Sequence, residues 1–291
     1  MALVGQAAGI VALPYSTSVL QFDNPHVTPT MLVLTFFNPV GALQGFRRGG
    51  QWNLDLAAAV CAGGAVGGLL GPFFRATVLA NPAAFRATLG VALALFGFQL
   101  SYRALHDYSR FGRLVGLRFL ASATDQSDGS GPHKLTIRTT FRSFTRVRIR
   151  FGQEEREISN ALLFAAGLGV GVFSSALGVG GGFLLVPIFA IVWRLPIYIM
   201  VAATIPYTVA LSLVGIVTFM FVLPLFGKPA IDPEWSWGFF SAAGGVFGSW
   251  WASKTQLHVP EHFLGLMLGG LTGLAGIAYL LSATVTLPFP L

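Results

Sequence analysis

Gly167-Leu-Gly-Val-Gly-Val-Phe-Ser-Ser-Ala-Leu-Gly-Val-Gly-Gly-Gly-Phe-Leu-Leu-Val-Pro187 is the stretch on which the fold turns. It holds no charged residue, and its only polar side chains are Ser174 and Ser175. Glycine this dense destabilises a helix in water, but membrane helices use small residues to bring backbones together. The stretch reads as the end of an apolar helix, a glycine break at Gly178–Gly182, and a second apolar segment with Pro187 inside it.

The rest of the chain has the same character. Of its 291 residues, 54% are hydrophobic and 10% are charged, against about 25% charged in a soluble domain. A fold of this length in water cannot cover that much apolar surface. Runs long enough to cross a bilayer, or nearly so, lie near 2–22, 27–46, 53–74, 83–103, 158–177, 181–194, 198–224, 235–253 and 262–284. The first and sixth each begin with glycines and contain a proline, Pro14 and Pro187, which marks them as broken or re-entrant helices.

One sizeable polar region, residues 104–157, separates the fourth and fifth runs. Asp125-Gln-Ser-Asp-Gly-Ser-Gly-Pro132 reads as a loop. Leu135, Ile137, Thr139 and Phe141 alternate, as do Val147, Ile149 and Phe151 with Arg146, Arg148 and Arg150 between them. That period of two predicts a small β-hairpin with a basic face. If the nine runs alternate from a cytoplasmic N-terminus, fifteen of the 18 Lys and Arg residues fall inside and three (Arg75, Arg86 and Lys228) outside. That asymmetry predicts that residues 104–157 are cytoplasmic. The same loops account for the net charge of +7 without a nucleic-acid partner.

The second half of the chain echoes the first. Gly5-Gln-Ala-Ala-Gly-Ile-Val-Ala-Leu-Pro14 and Gly178-Val-Gly-Gly-Gly-Phe-Leu-Leu-Val-Pro187 share the spacing Gly, three residues, Gly, four residues, Pro. Ala62-Gly-Gly-Ala-Val-Gly67 matches Ala243-Gly-Gly-Val-Phe-Gly248. Gly63, Gly67 and Gly71, like Gly244, Gly248 and Ala252, stand four apart and suit helix packing. In the predicted topology the two interrupted segments run in opposite directions, so the expected architecture is an all-α polytopic protein of two inverted repeats. The divisions are 1–103, the β-like insertion 104–157, and 158–291. The first repeat is short by one helix. Either that helix is missing or residues precede Met1.

Such interrupted pairs mark transporter substrate sites near the membrane midplane. The start of a helix presents unpaired N–H groups and a partial positive charge, which bind an anion without a buried cation. The candidate groups are Gly178, Gly180, Gly181 and Gly182 with Ser174, Ser175 and Thr204 in the second half. In the first half they are Gly5, Gln6, Gly9, Thr30 and Asn38. No acid, base, nucleophile or metal set marks an enzyme: the five histidines fall in loops or at segment ends, and Pro260 disrupts the spacing of His258 and His262. No cofactor is expected.

The 167–187 stretch also resembles the Gly-rich signature of the sulfite exporter TauE/SafE family of membrane permeases. Ser175-Ala stands where the signature has Ser-Gly, and Ala203-Thr204-Ile205 where it has Ala-Thr-Ser. The first half diverges further, with Gln6-Ala-Ala in place of glycines. The resemblance spans nearly the whole chain. It implies a multi-pass protein of a bacterial inner membrane that moves sulfite, thiosulfate or a short sulfonate, and the paired interrupted helices suit alternating access. The alternative is a passive anion channel, or a transporter of another small organic anion.

Overall fold

The computed structural model describes residues 9–18, 20, 22, 24–48, 54–106, 138–143, 146–151, 154–193, 197–255 and 261–284. Helices α1 (Gly9–Ser18), α2 (Val27–Arg48), α3 (Leu54–Thr77) and α4 (Pro82–His106) precede a sheet of β1 (Arg138–Arg142), β2 (Arg146–Phe151) and β3 (Glu154–Ser159). After it come α5 (Asn160–Leu177), α6 (Gly182–Val192), α7 (Ile197–Val217), α8 (Trp235–Thr255) and α9 (Glu261–Thr284). Helix α7 continues through a π-helical turn, Thr218–Val222, to Leu225. Each expected apolar run falls on a helix. Among the described residues, four stretches are long and apolar enough to cross a membrane: Ala57–Thr77, Pro82–Gln99, Asn160–Leu177 and Ala203–Leu225. The 11-residue α6 is about 16 Å long at 1.5 Å per residue, roughly half a bilayer core. Of the candidate site residues, Gly5 and Gln6 lie outside the described residues.

The chain forms two compact units, and each takes helices from both halves of the sequence. In the larger, α3 and α5 lie in parallel along a seam of small residues. A Cβ on Gly63 would collide with the backbone of Phe164 and Leu168, one on Gly67 with Gly171, and one on Gly71 with the Ser175 hydroxyl. This close approach is what four-residue glycine spacing permits. Helix α7 runs alongside, with Tyr207 on Gly64 and Leu211 on Gly68. Helix α2 runs opposite to α7: Leu32 meets Gly215, and Thr35 Oγ1 shares a 2.8 Å hydrogen bond with Ser212 Oγ. Helix α8 follows α2 in the same direction, with Val33 on Gly238 and Leu34 on Gly245. The π-turn frees the Phe219 carbonyl, which accepts the Ile231 amide at 3.1 Å, and Leu32, Phe219, Leu223 and Ile231 close one end of the core.

The second unit holds α4 from Arg86 onward and α9. These two helices are antiparallel, and glycines again set their spacing. Gly97 abuts Gly273, Gly276 abuts Ala94, and Gly90 lies on Tyr279.

The expected hairpin is a three-stranded antiparallel sheet in the order β1-β2-β3. Val147 pairs with Ile158, and both are buried. Arg148 stands opposite Glu157 and Arg150 opposite Glu155. The third strand therefore sets the Glu157 carboxylate against Arg146 and Arg148 of the row that the sequence shows as a basic face. Glu157 accepts from Arg146 at 2.7 Å and from Arg148 at 3.1 Å. These two hydrogen bonds, from Arg146 first, hold its carboxyl below the usual range. Leu135 and Ile137 lie outside the described residues.

Candidate functional site

Helix α5 ends at Leu177 because Gly178 turns the chain. Its φ of 74° is left-handed, and its amide closes onto the Ser174 carbonyl. The Val179 amide takes the same carbonyl at 3.1 Å, and Gly180 is left-handed again with φ 78°. Only glycine adopts such a pair of angles without strain. The chain thus doubles back and restarts as α6, whose N-cap is Gly181 and whose first bond runs from the Leu185 amide to the Gly181 carbonyl at 3.2 Å. No side chain caps this start. Residues 178–182 are all buried.

Tyr207 fixes the depth at which α6 starts. Its ring fills the space that side chains at Gly181 and Gly64 would occupy, and its hydroxyl donates to the Gly167 carbonyl at 2.8 Å. Gly167 is the eighth residue of the 18-residue α5. The new helix therefore starts beside the middle turns of α5, not at its end.

Three elements of the first half converge on the turn. At Gly9, the first described residue of α1, a Cβ would lie 2.7 Å from the Val179 carbonyl oxygen and 3.0 Å from that of Gly178. At Gly178 a Cβ would lie 2.7 Å from the Thr28 carbonyl oxygen and 3.1 Å from its Cα, at the start of α2. Arg75, in the last turn of α3, donates from Nε to Thr28 Oγ1 at 3.3 Å.

The candidate side chains divide accordingly. Ser174 is fully buried, and its Oγ has no hydrogen-bond partner among the described residues. Ser175 is also buried, but its hydroxyl is engaged in the α3–α5 seam, 2.7 Å from the Gly171 carbonyl and 3.1 Å from that of Gly67. Thr204 is buried one helical turn before Tyr207, on the same face of α7. Thr30 and Asn38 face α8 instead. Thr30 Oγ1 donates to the His26 carbonyl at 2.6 Å and accepts the Glu234 amide at 2.8 Å. The Asn38 side chain lies against Gly245, and its main-chain carbonyl accepts from the Ser249 hydroxyl at 2.9 Å. Gly9, Gly178, Gly180, Gly181, Gly182 and Ser174 are thus gathered in one place.

Two residues at this site escape a reading of the sequence alone. Tyr207 is one of two tyrosines in an apolar helix and carries no motif. Arg75 reads as a loop residue when α3 is ended at 74. The helix instead runs to Thr77 and leaves Arg75 only 2% exposed.

An apolar multi-helix protein with a half-length helix restarting inside it, at a buried glycine turn, has the design of a membrane transporter. The family model for the sulfite exporter TauE/SafE matches residues 1–279, and the chain belongs to that family of membrane transporters. No curated protein and no solved structure matches it.

Proposed function

We propose that this chain is a secondary transporter of a small oxyanion, such as sulfite, thiosulfate or a short sulfonate, and that the anion binds at the Gly178–Gly182 turn. The observation that carries this reading is the Ser174 hydroxyl, fully buried and without a hydrogen-bond partner among the described residues, on the residue whose carbonyl anchors the glycine turn that leads into the buried, uncapped start of α6. Buried polar groups are almost always hydrogen-bonded. A ligand with acceptor oxygens would satisfy both the hydroxyl and the first-turn amides of α6.

The inverted-repeat reading has support of its own. Its paired elements are α1 with α6, α2 with α7, and α3 with α8. Helices α2 and α7 lie side by side in opposite directions, and α2 packs on α8 as α7 packs on α3. The first described residue of α1 meets the turn before α6, where two interrupted helices would join. Rocking of the two repeats about this junction would expose the site to each side in turn. We place the protein in a bacterial inner membrane, with residues 104–157 on the cytoplasmic side.

A binding screen of the purified protein with sulfite, thiosulfate, sulfate and short sulfonates tests the reading. Saturable binding that Ser174→Ala weakens supports it. No binding by any of these anions removes it.

A further inference from the structure

Arg75 is a buried charge with no counter-charge among the described residues. It is 2% exposed and makes no ion pair with a carboxylate among the described residues. Its contacts are all neutral: Nε to Thr28 Oγ1 at 3.3 Å, Nη1 to the Leu79 carbonyl, and the face of the Phe85 ring, whose centroid is 4.1 Å from the guanidinium carbon. The carbonyl end of α3 and the Phe85 face each favour a cation and offset part of its burial, but neither is a counter-ion. An ionised group taken out of water costs several kcal/mol unless something compensates it, and charged residues kept in membrane helices mark ion pathways.

Arginine carries five N–H groups in a planar fork. Two are engaged by Thr28 and Leu79. Thr28, which holds Nε, is also the residue whose backbone packs on Gly178. The guanidinium is therefore tied through one residue to the turn where the anion is proposed to bind.

We propose that Arg75 is an anion-recognition residue whose remaining N–H groups hold two oxygens of the transported oxyanion, so that the passing anion is the missing counter-charge. A planar fork matches a pair of oxygens on one sulfur in a way that a point charge does not. Arg75 thereby selects sulfite-like and sulfonate-like anions over halides. This inference rests on the transport reading.

The test is sulfite uptake into proteoliposomes holding the full chain, with chloride as competitor, for wild type, Arg75→Lys, Arg75→Gln and Thr28→Val. Arg75→Lys keeps the charge and loses the fork. It is expected to raise the KM for sulfite about tenfold, as losing one charge-assisted hydrogen bond does, and to lower the preference for sulfite over chloride. Arg75→Gln loses both and raises KM further. Thr28→Val leaves the arginine in place but frees its Nε, and gives a smaller rise. If Arg75→Gln fails to elute as a single folded species, the lysine and valine variants decide the matter. Wild-type KM and wild-type selectivity in the variants that fold overturn the proposal while leaving transport intact. Absence of uptake by the wild type overturns the transport reading instead.

Discussion

The Tyr207 hydroxyl donates to the main-chain carbonyl of Gly167 over 2.8 Å, and this one contact ties the middle of α7 to the middle of α5. Between its two ends the ring rests on Gly64 and Gly181, so one side chain sets the position of α3, α5 and the start of α6. Tyr207→Phe keeps the ring and loses one interhelical hydrogen bond, worth about 0.6 kcal/mol in a membrane helix bundle. It should lower thermal stability slightly and leave transport nearly unchanged. Tyr207→Ala empties the ring's space. At about 3–5 kcal/mol for loss of a buried aromatic, it should destabilise the protein and abolish uptake together, measured by detergent-solution melting and proteoliposome flux.

A leucine at Gly181 should do the same, because the space beside Gly181 is occupied by Tyr207 and not by an open pocket. Gly181→Leu should therefore melt early as well as fail to transport. A wild-type melting curve would contradict this packing.

Neighbouring serines should respond in opposite ways. Ser175→Ala removes a hydroxyl bound within the α3–α5 seam. It should lower stability by about 0.6 kcal/mol and leave anion affinity alone. Ser174→Ala removes a buried hydroxyl that has no partner. It should leave stability unchanged or raised, because burying an unsatisfied polar group is unfavourable, and it should weaken anion binding. Melting curves and binding isotherms of the two variants separate these roles.

The sheet carries a pH dependence through Glu157, whose carboxyl is depressed by the hydrogen bonds from Arg146 and Arg148. A depressed folded pKa stabilises the folded form fully above the ordinary glutamate value of about 4.3. That contribution falls as the pH drops below this value and is gone once the pH passes the lower, folded one. Protection of the β2 and β3 amides, taken relative to the intrinsic exchange rate at each pH, should fall over that acidic window in the wild type, and less so in Glu157→Gln.

Helix positions were legible in the sequence because a membrane span must be long and apolar, and few other signals interrupt it. The glycine turn was legible too, since Gly178 and Gly180 adopt angles that other residues avoid. The third strand was hidden because Glu154-Glu-Arg-Glu-Ile-Ser159 contains a single apolar residue, Ile158, opposite Val147. Side-chain commitments were not legible at all. Ser174 and Ser175 are adjacent and chemically identical, and only packing shows that one is bound to α3 and the other is not. The same holds for Thr30, whose hydroxyl takes the Glu234 amide just before α8.

Uptake of radiolabelled sulfite by proteoliposomes of wild type and Ser174→Ala, side by side, shows whether an anion binds at the Gly178–Gly182 turn. Saturable uptake by the wild type is expected, with KM raised about tenfold in the variant, as for one hydrogen bond to a charged ligand. No uptake by the wild type, or an identical KM in both proteins, would contradict an anion site at the Gly178–Gly182 turn.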